Sequence, residues 1–370
     1  MTEVTHYDLP ERRLALAGVS LSRHMENGKG IWRLELPRPD GEPFLIEQPG
    51  GPATPPADVR RALPALLRGS GVEPLPQVNG DEATRAEPTD DAIGHLRSML
   101  GHQYAEILRH DPGVRLDLDP EDVHGVRVAV RRSRAVLRAA RPILDPAWSE
   151  PLRAELKWLG GSLGRRRDAD VLIAHLQHQI DGLGQPERTA ATALIELLGE
   201  ERKTAQAIAV DALGSERYYG LLDLLEEAAS GPRVRRGEVS LRQLARKEYL
   251  RLRKVAERLG PDSHDAELHR ARILGKRARY AAELAEPEVG KPARKFVARA
   301  KALQDVLGAH QDAIVAEARL RGLLADVESS GAAFAAGRLV ELERERRREA
   351  RAELPKAWRA LQRSAKAAWG

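Results

Sequence analysis

The chain has 370 residues, of which 42% are apolar, 31% charged and 4% aromatic, with 60 Lys and Arg against 55 Asp and Glu and no Cys. That length and apolar content suffice for two or three domains with a sizeable core, and the lack of Cys excludes disulfides, thiolate zinc sites and cysteine nucleophiles. A net charge of +5 is small, so a strongly anionic partner has to be held by local clustering, and the scarcity of aromatics argues against a β-sandwich or a base-stacking module.

The first residues, MTEVTHYDLPERR, carry acids and no apolar run, unlike a secretory signal. No window approaches ~18 consecutive apolar residues, so a cytoplasmic chain without membrane spans is expected. Residues 1–68 read as a small antiparallel β segment. Alternating runs at Val19–Arg23 and Ile31–Leu36 are separated by the turn residues Asn27-Gly28, Pro39-Asp40-Gly41 and Gly50-Gly51-Pro52. A helix over 56–67 follows, with Val59, Leu63, Leu66 and Leu67 on its apolar side. Residues 69–89, rich in Gly, Pro and acids, read as a linker.

From residue 90 to 370 the pattern is helical, with Thr89 as the first N-cap. Helices are expected at about 90–110, 121–142, 150–163, 168–182, 187–212 and 215–229, then 240–259, 263–284, 290–307, 312–328, 333–350 and 354–368. Pro112, Pro120, Pro142, Pro146, Pro186, Pro232, Pro261 and Pro287 punctuate them, and Gly164 and Gly308 read as helix-ending residues before N-caps Asp168 and Asp312. The fold class is mainly α: two pseudo-symmetric helical bundles, about 90–212 and 213–370, behind the β segment.

The halves are tied by an internal repeat. Val123-His124-Gly125-Val126-Arg127 recurs as Leu268-His269-Arg270-Ala271-Arg272, and Arg131 and Arg134 recur as Lys276 and Arg279. The next helix repeats Lys157 as Lys301, and the turn after it repeats Arg166 as His310. On a helical wheel His124, Arg127, Arg131, Arg134 and Arg138 share a sector of roughly 80°, opposite Val126, Val130 and Leu137. This stripe contains no acid, whereas Glu341 to Glu353 interleaves both signs as an ordinary solvated face does. Like charges at i,i+4 cost roughly 0.2–0.5 kcal/mol per pair, so an acid-free stripe that recurs, again led by His though weakened by Glu283 at its fifth position, reads as an anion site.

The first stripe rises about 21 Å from His124 to Arg138, more than one phosphate needs and suited to a linear polyanion. Arg offers forked donors to phosphate oxygens, and the histidines add donors when protonated at mildly acid pH. No base-reading motif or interleaved aromatic accompanies the stripe, which disfavours nucleic acid and favours inorganic polyphosphate. Lys157, Lys301, Arg166 and His310 are counted with the site on the strength of the repeat. Arg202 and Lys203 lack repeat support and read as a solvated face. No Gly-rich phosphate loop, HExxH or GxSxG occurs, so neither enzyme activity nor a cofactor is expected.

The pattern His-x-x-Arg-x-x-x-Arg-x-x-Arg from His124, its second copy from His269 and the two Leu-Gly-x-x-x-Asp turns resemble the CHAD (conserved histidine α-helical domain) family over about residues 90–330. That resemblance implies a basic central surface that binds inorganic polyphosphate through His124, Arg127, Arg131, Arg134, His269, Arg272, Lys276 and Arg279, beside Lys157 and Lys301. Arg138 joins them from the wheel alone. His6–Pro10, Leu14–Arg23 and Trp32–Leu36 resemble part of a CYTH domain, a triphosphate-tunnel barrel. The opening Glu-x-Glu-x-Lys signature and the second half of the barrel are missing, and Glu35 stands where a basic residue is expected. The reading is a non-catalytic adaptor or localisation module, at polyphosphate-containing granules, with a protein partner on the N-terminal segment. A triphosphate hydrolase and a general polyanion binder stay open as alternatives.

Overall fold

The computed structural model describes residues 4–38, 41–68, 70–75, 92–235, 240–260, 262–324 and 329–370. The expected linker falls mostly, and the Thr89 cap wholly, outside the described residues.

Strands β1 (Val4–Asp8), β2 (Ser20–Glu26), β3 (Lys29–Leu36), β4 (Phe44–Pro49) and β5 (Glu73–Pro74) form one antiparallel sheet in the order β4-β3-β2-β1-β5. Asn27 and Gly28, both at positive φ (51° and 77°), close the β2–β3 hairpin, the backbone twist that a two-residue hairpin demands. Helix α1 (Arg13–Ala17) sits between β1 and β2. The helix expected over 56–67 divides at Leu63 into α2 (Ala57–Ala62) and α3 (Pro64–Leu67), because Pro64 starts a new turn. Val59, Leu63 and Leu66 are fully buried as the pattern requires.

The remaining elements are helices. The first half contains α4 (Ala92–Leu116), α5 (Pro120–Ala139), α6 (Pro146–Ser162), α7 (Gly164–Asp181), α8 (Gln185–Leu213) and, beyond the division expected near 212, α9 (Glu216–Ser230), which packs on α4 and α6. The second contains α10 (Leu241–Ala256), α11 (Asp265–Leu284), α12 (Glu286–Val289), α13 (Lys291–Leu323) and α14 (Ser330–Trp369). Packing follows the repeat: α4 lies on α5 as α10 lies on α11, and α5 and α11 pack on each other across the two halves. One core joins the buried faces of sheet, α5 and α11 through residues such as Trp32, Leu100, Val126, Val130, Leu137, Leu274 and Phe296. A smaller core of Leu176, Leu194, Leu198, Leu320 and Leu339 holds α7, α8, α13 and α14 together. Among the described residues no helix is long and apolar enough to cross a membrane.

Several expected breaks are overridden by packing. Gly308 and Asp312 lie inside α13, and α13 is continuous from 291 to 323 because Leu307, His310, Ala313 and Ala316 keep one buried face. Asp168 is likewise inside α7, whose N-cap is Leu163. The Asp-capping role assigned to both turns and the helix-ending role of Gly308 are therefore corrected, whereas α6 does end just before Gly164, at its C-cap Leu163. Pro112 sits within α4 rather than ending it, and α14 runs through the break expected between 350 and 354 with Pro355 inside it. Each removes one ladder hydrogen bond, while buried neighbours on both sides, such as Leu108 and Val114 around Pro112, keep the helix on the core. Pro120 and Pro146, read from the sequence as breaks, occupy first helical turns behind the capping carboxylates of Asp119 and Asp145, so that α6 starts at 146 rather than at the expected 150.

Two glycines set how closely α4 and α5 approach. His110 Nδ1 lies 2.9 Å from Asp122 Oδ1. A Cβ on Gly125 would meet the His110 ring at 2.2 Å, and one on Gly113 would meet Asp122 at 1.9 Å. Burial opposes charge on His110, but Asp122 and Glu106 outweigh it and lift its pKa to about 9. Because that value lies above the unfolded ~6.5, this stabilisation is complete below pH ~6.5 and is lost as pH rises through about 9.

Gly125→Ala is expected to destabilise the protein by about 1–3 kcal/mol. Gly199→Ala, in open space within α8, is expected to stabilise by about 0.5–1 kcal/mol. Denaturant melts of both variants check the pair.

Candidate functional site

Why α5 carries a cationic face follows from its burial pattern. Val123, Val126, Ala129, Val130, Val136 and Leu137 are buried, which forces the intervening arginines outward. The same division holds in α11, where Leu268, Ala271, Leu274, Ala278 and Ala281 are buried. The α5–α11 packing then brings part of each outward stripe to one groove of about 490 Å³, leaving His269, Arg272 and Arg279 of the second stripe outside its lining.

Arg131, Arg134 and Arg138 line the groove from α5, and Lys276 lines it from α11. Additional cations come from elements that the stripe did not include: Arg141 just beyond α5, Arg153 on α6, Lys247 and Arg251 on α10, and Arg277 on α11. Glu248 is the single carboxylate in the lining and is paired with Arg251. Arg141 and Arg153 share Glu150. Among the described residues, Arg131, Arg134, Arg138, Lys247, Arg272, Lys276 and Arg277 have no carboxylate within ion-pair distance. The Nε atoms of Arg272 and Arg277 are buried without an acceptor.

The electrostatic consequence is legible at each group. Burial, and then the charges of Arg272 and Arg131, depress the Lys276 pKa from 10.5 to about 8, against a weaker opposing pull from Asp312. Burial followed by Arg277 and Arg153 lowers the pKa of Arg138, and burial followed by Arg153 lowers that of Arg134. Such shifts mark cations crowded against cations, the setting in which an incoming anion gains most.

The stripe is not uniform along its length. Arg127 Nη1 donates to the Gly160 carbonyl at 2.9 Å, and its Nη2 lies 3.6 Å from Asp168. His124 lines a separate cleft of about 260 Å³ between α4 and α5, with His102, Gln103 and Glu106. Burial, with Arg167, Arg131 and Arg127, holds its pKa below the usual value, so the protonated double donor expected of it requires more acid conditions in the free protein. His269 is exposed and bonds Gln311 through Nδ1 at 2.8 Å. Arg279 is turned to Glu283 at 3.0 Å and lies 4.6 Å over the Tyr280 ring. Lys157 and Lys301 are exposed on α6 and α13 and are not part of the groove lining.

Arg166 and His310 are corrected. The Arg166 side chain is fully buried, bonded to Asp117 at 2.6 Å and Gln206 at 3.0 Å and in contact with Asp170. Arg202 joins this cluster through Asp117 and Asp170, at 2.7 and 3.0 Å, and is therefore no merely solvated side chain. His310 is 2% exposed and lies 3.3 Å from Asp265, which Arg351 holds at 2.6 Å. The repeat at 166 and 310 thus preserves an internal polar anchor rather than a groove contact. The missed cations had a signal: Leu244, Lys247, Glu248 and Arg251 fall at i, i+3, i+4 and i+7 on one face of α10. No group of three or more His, Asp and Glu among the described residues could hold a metal ion.

The CHAD domain model matches residues 98–321. Two Mycobacterium tuberculosis proteins, "Uncharacterized protein MT2285" of strain CDC 1551 / Oshkosh and "Uncharacterized protein Rv2226" of strain H37Rv, are each 28% identical over 359 residues. Those alignments cover 91% of this chain and 66% of the relatives, so the chain spans less than two thirds of their length. Among solved structures, PptA from Streptomyces chartreusis is similar with a TM-score of 0.59 and 27% identity, over 74% of this chain and 100% of that one. The CHAD domain from the plant Ricinus communis is similar with a TM-score of 0.60 and 29% identity, over 76% and 97%.

Arg166→Met is expected to destabilise by about 3 kcal/mol, since it leaves Asp170 buried beside only one remaining cation, while changing polyanion affinity by less than about twofold. Denaturant melts and a titration on the same sample separate these two effects.

Proposed function

The chain belongs to the CHAD domain family, and on that footing we propose that it binds inorganic polyphosphate in the α5–α11 groove without transforming it, as an adaptor or localisation module. The observation that carries this reading is the set of cations from α5, α10 and α11 that have no carboxylate partner among the described residues. A protein that needed these charges only for solubility would mix signs, as α14 does where Arg344 and Arg348 pair with Glu341. A linear chain of phosphates offers acceptors at every unit and nothing else to read, which matches a groove lined mainly by donors, with Tyr280 its one aromatic.

The non-catalytic part of this proposal concerns the groove. Its lining holds one carboxylate, engaged by Arg251, and no paired acids or activated nucleophile. The partner side of the adaptor is assigned to the N-terminal module, where β4 forms one edge of the sheet. The CYTH resemblance of that module stays part of this proposal.

Replacing Arg131, Arg134, Arg138 and Lys276 together by Glu is expected to weaken long-chain polyphosphate binding by at least about a hundredfold. Arg348→Glu, on the mixed-sign face, is expected to change it by less than about twofold. Unchanged binding by the fourfold variant contradicts the proposal.

Lys276 supplies a pH signature. With a free-state pKa of about 8, it is partly neutral at pH 8.5, and a bound polyanion raises that pKa again. Binding at pH 8.5 is therefore expected to take up roughly half a proton or more, read by calorimetry in two buffers of different ionisation enthalpy. Affinity is expected to fall as pH rises above about 8, and Lys276→Arg is expected to abolish the proton uptake.

A further inference from the structure

The groove is not lined by charge alone. Ile273 lies between Arg272 and Lys276 on α11 and is 40% exposed. Leu244 of α10 and Ala135, Ala139 and Pro142 from the α5 side complete a carbon surface among the guanidinium groups. An inorganic phosphate chain satisfies the cations but leaves this surface in water, because it has no apolar part to cover it. A volume of about 490 Å³ falls in the range of small-molecule pockets, which combine apolar walls with a few placed polar groups. The cavity is also confined to one end of the stripe: His124 lines a different cleft, and Arg127 is not part of the lining.

We propose that this end of the groove takes a nucleoside polyphosphate. Its phosphates lie on Arg131, Arg134 and Lys276, and its base lies against Ile273 and Leu244. The guanidinium planes of Arg138 and Arg277, neither held by a carboxylate, are free to stack on the base. The inference rests on the same reading of the groove as an anion site and narrows the ligand there from any phosphate chain to one carrying a flat apolar group.

The test compares ATP with tripolyphosphate, titrated into the full chain at one pH and salt concentration with a chelator present. Tripolyphosphate carries the higher charge, so electrostatics alone ranks it first. ATP is expected to bind at least about threefold tighter, from apolar surface covered by the base. Ile273→Asn is expected to weaken ATP about fivefold and tripolyphosphate less than about twofold. Ile273 is a surface position, and a thermal melt of the variant confirms that it folds. Tripolyphosphate binding as tightly as ATP, or an Ile273→Asn effect equal on both, overturns the inference. Long-chain polyphosphate titrated alongside tests the broader function separately: its failure to bind would remove that function, while the ATP ranking still decides this one.

Discussion

Uncompensated positive charge at the packing of α5 on α11 is the constraint around which this structure is arranged. Arg131, Arg134 and Arg138 face Lys276 and Arg277 across one groove, and among the described residues none of them has a carboxylate partner. Holding these charges together and partly buried costs the free protein energy, as the pKa of Lys276, depressed first by burial and then by Arg272 and Arg131, records. The cost is offset from below. Val126, Val130 and Leu137 of α5 and Leu274, Ala278 and Ala281 of α11 are buried in the main core, and each fully buried aliphatic side chain contributes roughly 1.5–3 kcal/mol. The hydrophobic faces thus fix the helices in a position that their outward faces oppose. An arrangement of that kind is relieved by an anion, which is why the repulsion is informative about function.

Charge elsewhere in the molecule is handled in the opposite way. Arg166 is buried among Asp117, Asp170 and Gln206, and Arg202 closes the same cluster. Glu343, fully buried in the smaller core, is met by His175, Gln179 and Arg346. Arg13 and Arg68 converge on Glu226, at 3.1 and 2.5 Å, and so fasten the N-terminal module to α9. In each of these places an acid answers the cation, from another element for Arg13, Arg68 and Arg202 and from the same helix for Arg346. The groove is set apart by the cations left without such answers beside the paired Arg141, Arg153 and Arg251.

How far the sequence carried follows from what periodicity can and cannot see. The α5 and α11 stripes were legible because the helical period separates the arginines from the valines and leucines, and because the repeat doubles the signal. Their meeting at one groove is a tertiary fact that the repeat only suggests. The continuity of helix through 308 and the place of Asp168 and Asp312 inside helices escape the sequence for the reverse reason: Gly and Asp carry local signals for helix ends, but Leu307, Ala313 and Ala316 keep one buried face and packing overrides the punctuation. Arg166 shows a further limit, since a cation bound for a ligand and one bound for an internal acid look alike until Asp117, 49 positions away, is placed beside it. Lys247 and Arg251 lay on a helix outside the repeat, so nothing tied them to the stripe before the fold did.

The central claim is that several unpaired cations act together on one anionic chain, and the salt dependence of long-chain polyphosphate affinity tests it most directly. Neutralising about seven cations is expected to give a slope of roughly −5 in log affinity against log salt concentration, taking the coefficient for flexible single strands. A slope near −1 would mean that one or two surface cations account for binding, and would contradict an extended site between α5 and α11.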